Sequence, residues 1–559
     1  MAFESVFRQR LWSICSLTVL ASCAADHRRY PLSEPIWRDD DQRPQKKVPE
    51  EYFSPLVWEG VRASIFDPIV NFFAVDHSGE ALNVNALDEV PDSSWFENRL
   101  GKTELTPEQV ARGPCEGPPL DPSQPWTVVG AKLDGQTPGF RINARDGRRY
   151  LLKFDDDLQP ERATAADVIG SKIFYAAGYH VPCNQIVYFE ESVLQVPQGG
   201  EKEAHKITPE QVHSILQFAP KEKDGRFRTM ATELISGKII GPWTYQGTRD
   251  DDINDVVPHE HRRELRGEYV LAAWLNHFDS RDGNTLATFV DAPGGGFVKH
   301  YLIDWGDTLG SLWPIDAMSR RLGYSYYFDF AHVGRDFVTF GVVERPWEKV
   351  HFGPAGVTLG YFDDDSQFVP DEWHDGFPNA AFSRMTERDA AWMTRIVARF
   401  TDEHIDAAVK QGQFTNPIVV SEASRVLKSR RDKILQRWLT RLSPLSEPRL
   451  AQGDATTKLC LRDLSLLPKA TAKDGRQYKG RVSFNSMSAR DISVRSNGQG
   501  EACAELPNAS EASDAHPLYA VAEIQASYPG QARESPVRIY LYQTGPNRFR
   551  IVGLERPED

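Results

Sequence analysis

After its first 22 residues the chain has no apolar run long enough to span a bilayer. It also has no repeat of solenoid length, no low-complexity tract and no excess of positive charge. Each absence removes a class. Spanning helices are excluded beyond the N-terminus, and repeat architectures are excluded throughout. The 65 Lys and Arg against 79 Asp and Glu leave a net charge of -14, so the chain lacks the basic field a nucleic-acid binder uses to displace counterions. Cysteines number six, with no CxxC or Cys/His spacing that would hold zinc. HEHRRE is not HExxH, because Arg263 stands where the second histidine belongs, and no GxSxG nucleophile elbow occurs. What is present is an ordinary globular composition of 559 residues, 40% hydrophobic and 26% charged. At roughly 100 to 200 residues per domain this predicts about three to five folded units.

The N-terminus sets the expected compartment. Arg8 and Arg10 precede the apolar stretch LWSICSLTVLA, which is the grammar of a signal peptide over residues 1–22. The stretch ends in Leu20-Ala21-Ser22-Cys23, which resembles a bacterial lipobox. Cys23 is then the expected acylated N-terminus, and more than one acyl chain makes a stable membrane anchor. Ala24 after the cysteine is compatible with outer-membrane sorting, so the expectation is an outer-membrane lipoprotein of the bacterial cell envelope facing the periplasm. An oxidising compartment permits disulfides. Cys460 with Cys503, in one strand-rich segment, is the first expected bridge and Cys115 with Cys183 the second.

Composition divides the rest. Residues 23–60, polar and proline-punctuated, read as a flexible tether, and 61–125 as an extension packed on the domain that begins at Trp126. From Trp126, WTVVGAKL, FRIN and RRYLLKF separated by DGQTPG and ARDG predict a three-stranded antiparallel meander. A helix comes next, with Ala166, Ile169 and Ile173 at helical spacing and Gly178 as its stop, and then the strands NQIVYF and MATELIS. HEHRRELRGEYVLAAWLNHF reads as a long helix that delivers the chain into NHFDSRDGN. GTRDDDIND, with Asp250, Asp251, Asp252 and Asp255, lacks the alternating pattern of a calcium loop and reads as an exposed acidic loop. Helices dominate after about residue 385, and strands from about 447. The expected division is therefore 126–240, 241–446 and a C-terminal β domain at 447–559.

Three places concentrate chemistry. In HFDSRDGN, Asp279 and Asn284 are separated by four residues; in LIDWG, Asp304 closes an apolar strand before an aromatic residue and Gly306; and Lys153 sits on the third strand, ahead of the helix. Phosphoryl transfer needs an oxygen-ligated cation, a positive charge on the phosphates and a carboxylate at the attacking hydroxyl. Asn284 and Asp304 offer hard oxygens for magnesium or manganese, Lys153 offers the fixed positive charge, and Asp279 can orient a hydroxyl and accept its proton. Gly135 and Gly139, in LDGQTPGF, would let backbone amides approach a phosphate.

In this order the motifs resemble the protein-kinase-like superfamily. The resemblance covers about residues 126 to 445 and implies an α+β, two-lobed kinase-like fold, followed by the additional all-β domain. It implies ATP as phosphate donor, with a protein or small hydroxyl compound as acceptor. It also implies an acid on the helix to hold Lys153, and Asp167 is preferred over Glu161 by its distance from Gly178. The segment after MATE becomes the connection between lobes, where Glu233, Leu234 and Ile235 would present backbone groups to an adenine edge. Phe278 replaces the arginine of HRD, so control through a phosphate bound there is not expected. The long hairpin containing DAPGGG is closer to the HipA-like and phosphatidylinositol-kinase-like branches. VPDSSWF, GTRDDDIND and PHEHRRELRG are similar to phrases of a bacterial lipoprotein family, a similarity that names no substrate. The enzyme expectation leans towards an active phosphotransferase because all four chemical positions are filled. An inactive kinase-like scaffold is the alternative.

Overall fold

A computed structural model describes residues 28–53, 60–62, 66, 79–132, 138–196, 207–217, 219–327, 329–340, 342–452, 456–467, 475–485, 488–497, 500–528 and 534–558. The signal segment and Cys23 lie outside the described residues, as does Gly135. No helix among the described residues is long and apolar enough to cross a membrane.

Helix α1 (Pro107–Arg112) is short and begins with a capping box in which Thr106 and Gln109 satisfy each other's backbone amides. It leads to the meander β1 (Trp126–Ala131), β2 (Gly139–Asn143) and β3 (Arg149–Lys153). Helix α2 (Arg162–Ala177) comes next, then β4 (Asn184–Phe189) and β5 (Leu194–Gln195), helix α3 (Pro209–Gln217), and β6 (Phe227–Glu233). The six strands form one sheet in the order β4-β6-β3-β2-β1-β5. Alternation sends Trp126, Val128, Phe140, Ile142, Tyr150 and Leu152 into one core. Helix α2 is buried along nearly its whole length, including the expected Ala166, Ile169 and Ile173, because extension, sheet and helical lobe all pack on it. At its end Gly178 has φ 137°, and a Cβ there would meet Phe96 at 2.3 Å.

Strand β7 (Lys238–Gly241), helix α4 (Arg263–Leu275), and the hairpin β8 (Thr285–Ala292) and β9 (Gly295–Leu302) open the second lobe. Helix α4 is shorter than the sequence pattern suggests, since His259–His261 form a separate 3-10 turn. The helices α5 (Asp316–Arg321), α6 (Phe330–Thr339), α7 (Glu387–Val397), α8 (Asp402–Lys410) and α9 (Pro417–Ile434) complete it. Helix α4 is the axis of this lobe. Its Trp274 indole donates to the Leu427 carbonyl at 2.7 Å, and its buried Arg263 and Arg266 reach Asp389 at 3.1 and 3.3 Å.

The C-terminal strands are β10 (Leu445–Gln452), β11 (Thr457–Asp463), β12 (Gln477–Phe484), β13 (Arg490–Ile492), β14 (Val494–Ser496), β15 (Glu501–Leu506), β16 (Leu518–Ser527), β17 (Val537–Gly545) and β18 (Arg548–Glu555). They form two sheets, β10-β11-β15-β14 and β13-β12-β16-β17-β18, around a common apolar core. Cys460 and Cys503 face each other across β11 and β15 and are bonded; Cys115 and Cys183 form a second disulfide. The first closes a loop with a sequence separation of 43. Replacing both of its cysteines with alanine should therefore cost about 2–4 kcal/mol by the chain-entropy argument, measurable as a lowered denaturant midpoint for the β module.

Two expectations need correction. Residues 28–53 are not a free tether. Tyr30 packs on Tyr540 of the β module, Asp41 accepts the Ser94 hydroxyl at 2.7 Å, and Gln45 bridges to Gly296 and, through its side chain, to Asp251. Aromatic anchors and buried polar contacts along a proline-rich segment have overcome its chain entropy. Nor is GTRDDDIND an exposed acidic loop. Asp252 and Asp255 are buried, and Asp255 pairs with His259 at 2.7 Å, while the Asp251 carboxylate accepts the Glu50 amide. The loop ties the N-terminal strap to the second lobe.

Candidate active site

Lys153, at the end of β3, is the centre of the site. Its ammonium lies 3.0 Å from an Asp167 carboxylate oxygen and 2.9 Å from Asp304. A strand, a helix and the residue two past β9 thus meet on one charge. Asp167 is held on its other oxygen by the Asn184 amide at 3.0 Å and the Trp305 backbone N–H at 3.1 Å. Burial raises its affinity for a proton, and the Asp304 charge adds to that, against the pull of Lys153. Lys153 itself is held well above its ordinary pKa, because Asp167 and Asp304 outweigh the cost of burial. Asp304 also resists burial. The Lys153 and Lys132 charges bring it down to about 2, so it is an anion at any working pH.

Asp304 has φ 64°, in the left-handed region that is costly for a residue with a side chain. Its carboxylate accepts a 3.4 Å contact from the Gly306 amide, and the side chain keeps 38% of its surface exposed. Strain at a half-buried carboxylate beside a buried cation is the pattern of a functional position.

The loop after α4 lies alongside. The Ile303 amide donates to the Asn284 carbonyl at 3.0 Å, which places Asn284 next to the strand end that carries Asp304. The Asn284 side-chain amide donates to the carboxylate of Asp279 at 2.9 Å and to its carbonyl at 2.7 Å. Arg281 reaches the other Asp279 oxygen at 2.9 Å. Burial, reinforced by Asp307, raises Asp279 to about 6, against Arg281, Asn284 and His277. The loop is fixed by Asp307, which accepts the Asp279 backbone N–H at 3.1 Å and bonds the His277 ring at 2.8 Å. Burial works against the His277 charge, yet Asp307 prevails and raises its pKa. Asp307 is the residue that sequence reasoning missed. It is the third residue after Asp304, and nothing but its acidity in an apolar turn marked it.

Of the two acids weighed for Lys153, Asp167 is the one in contact with it. Glu161 instead accepts the Thr415 amide at 3.0 Å. Two nucleotide positions are revised. A Cβ on Gly139 would meet the Leu152 carbonyl at 2.2 Å, so close packing of β2 on β3 explains that glycine without a phosphate. In the segment between lobes, the Glu233 and Leu234 amides donate to the Cys183 and Arg149 carbonyls at 2.9 and 2.8 Å. Those two N–H groups are spent, which leaves carbonyl oxygens and the Ile235 amide as candidates for an adenine edge.

A buried acid stands behind the loop. Glu268 on α4 accepts the Tyr245 hydroxyl at 2.9 Å, and burial raises it to about 8 despite His277 and that hydrogen bond. A carboxyl whose folded pKa lies above its unfolded value of about 4.3 binds a proton more tightly in the folded state. Stability should therefore fall as pH rises from about 4.3 towards 8. Glu268→Gln should flatten that decline, as checked by urea midpoints across the interval.

The order β1-β2-β3-β6-β4, the helix between β3 and β4, and the residues on β3, the loop after α4 and the end of β9 define an α+β, kinase-like fold with a β-rich C-terminal part. No protein-family model and no curated protein matches the chain. Among solved structures, the proinflammatory kinase CtkA of Helicobacter pylori is similar at 12% identity and TM-score 0.31, over 57% of this chain and 97% of that one. The Golgi casein kinase is similar at 11% identity and TM-score 0.22, over 67% of this chain and 94% of that one. The fold rests on strand order and residue placement.

Proposed function

We propose that the chain is an ATP- and metal-dependent phosphotransferase acting on a protein or small hydroxyl acceptor. The observation that carries this is the Lys153 ammonium held between Asp167 and Asp304, with Asp279 and Asn284 on the adjoining loop. Asp304 and Asn284 present a carboxylate and an amide oxygen, a donor set that suits magnesium or manganese. When bound, such an ion supplies neutralisation of phosphate charge. Lys153, kept charged by its two acids, would hold the donor phosphates. Asp167 positions Lys153, and Asp279 would orient the acceptor hydroxyl and take its proton. Arg281 and the Asn284 amide fix the Asp279 carboxylate for that task. The β8–β9 hairpin between Asn284 and Asp304, with DAPGGG at its turn, supports placement near the HipA-like or phosphatidylinositol-kinase-like branches.

Anchoring through lipidated Cys23 to the outer membrane, facing the periplasm, belongs to the same reading. The two disulfides suit an oxidising compartment. ATP is expected to be scarce there, so the physiological donor would come from elsewhere.

A second reading, an inactive kinase-like scaffold of the envelope, draws on one contact: Arg62 of the N-terminal extension pairs with Asp282, inside the loop that carries Asp279 and Asn284. Thermal unfolding of the full chain with ATP and manganese separates the two. At a hundred times the dissociation constant a ligand adds about 2.7 kcal/mol, so the unfolding temperature should rise by a few degrees in wild type and not in Asp304→Ala. No rise in either protein favours the scaffold.

A further inference from the structure

Lys172 of α2 is 3% exposed, and the group it faces is a sulfur. Its amine nitrogen lies 3.1 Å from the Cys115 sulfur of the Cys115–Cys183 bridge and donates to the Arg112 carbonyl at 2.9 Å. Burial lowers its pKa to about 7, so near neutrality it is divided between amine and ammonium. Both cysteines are half-buried rather than sealed in a core. The bridge also bears on the Lys153 site. Cys183 immediately precedes Asn184, whose side-chain amide holds Asp167 at 3.0 Å, and the Cys115 sulfur lies 3.9 Å from the Asn184 carbonyl. Asp167 in turn accepts the Trp305 backbone N–H at 3.1 Å. Lys172 itself lies further along the helix that carries Asp167.

Burial disfavours the charged form of an amine, and a neighbouring cation stabilises a thiolate. Opening the bridge would create that thiolate where the amine already stands. Stabilising the reduced form makes a disulfide easier to reduce. We propose that Cys115–Cys183 is a reversible redox link on the Lys153 site, opened by a dithiol, with Cys183 as the sulfur attacked and Cys115 as the leaving group. A thiolate of the dithiol bonds to the Cys183 sulfur, the bond to Cys115 breaks, and its electron pair leaves on Cys115 as a thiolate beside Lys172. The second thiol of the reductant then displaces Cys183 and completes a two-electron reduction. The dithiol becomes its own disulfide. Of the two protons it gives up, one goes to Cys183 and the other to the Lys172 amine, which remains as an ammonium paired with the Cys115 thiolate. With the link open, Asn184 loses its fixed neighbour, and its hold on Asp167 and so on the Trp305 amide slackens.

The full chain, equilibrated in buffers of reduced and oxidised dithiothreitol, alkylated and mapped by mass spectrometry, tests it. Cys115–Cys183 should open in wild type at a dithiol-to-disulfide ratio about tenfold below that needed in Lys172→Met, while Cys460–Cys503 opens at the same ratio in both proteins. Two further measurements hold even if Lys172→Met fails to fold. Brief exposure of wild type to glutathione, a monothiol, should leave the mixed disulfide on Cys183 and the free thiol on Cys115. Replacing both Cys115 and Cys183 with alanine should speed hydrogen exchange of the Trp305 amide about tenfold, the loss of one hydrogen bond to a charged group, with the amides of α9 unchanged. Equal opening in wild type and Lys172→Met overturns the proposal, as does glutathione found on Cys115, or Trp305 exchange that stays at the wild-type rate or rises only together with that of α9. Phosphotransfer enters none of these readouts, so they apply equally if the chain is a scaffold.

Discussion

Asp279→Asn is expected to lower the rate of phosphate transfer about 10²–10⁴-fold, the range a positioned general base supplies, with little change in nucleotide affinity. The reason is local. Asp279 shares its carboxylate with Arg281 and Asn284, while the cation that would meet phosphate, Lys153, binds Asp167 and Asp304 instead. Asparagine keeps the shape and one acceptor oxygen but cannot take a proton. The same assignment fixes a pH dependence. Burial raises Asp279 to about 6, and the base form is the ionised one, so turnover should rise through about pH 6 and level off above it. Single-turnover transfer from labelled ATP, measured from pH 5 to 8 in wild type and variant, checks both. A variant as fast as wild type removes Asp279 from the chemistry.

The second large effect is on stability. Lys153→Met leaves two carboxylates facing each other without their cation, and Asp167 is only 3% exposed. Breaking a buried pair from one side costs about 3–5 kcal/mol, and the exposure of Asp304 places this case near the lower end. The loss should shrink as pH falls, because protonation of Asp167 relieves it. Adding Asp167→Asn should restore much of it, since the side-chain oxygen can still accept from Asn184 and the Trp305 amide. Urea unfolding of the single and double variants at pH 5 and pH 8 gives the comparison. Equal destabilisation in both variants at both pH values would mean that the lysine matters only for packing.

The residues of the site were legible because their chemistry is tied to local grammar. Two hairpin turns fixed the meander and so placed Lys153 at a strand end; the helical spacing before Gly178 placed Asp167 one face away; and the apolar strand before Asp304 ended at a glycine-flanked turn. Contacts made by long-range pairing were not legible. Asp307 matters because it bridges His277 and the Asp279 amide, a relation that no spacing within NHFDSRDGN contains. The ordered N-terminal strap was missed for a similar reason, since Tyr30 finds its aromatic partners more than 480 residues away on β16 and β17. Spent backbone amides at Glu233 and Leu234 were equally invisible, because they depend on the carbonyls of Cys183 and Arg149.

On the proposed function, Asp304 and Asn284, beside the Lys153 charge, form a divalent-cation site for a nucleotide. Equilibrium dialysis of the full chain against manganese and a non-hydrolysable ATP analogue, reading the metal held on the protein side in excess of the analogue-containing dialysate, tests it. Wild type should take up at least one ion per chain only when the analogue is present, and Asp304→Ala should take up none. Uptake that is the same in both proteins, or absent from wild type at millimolar analogue, would contradict it.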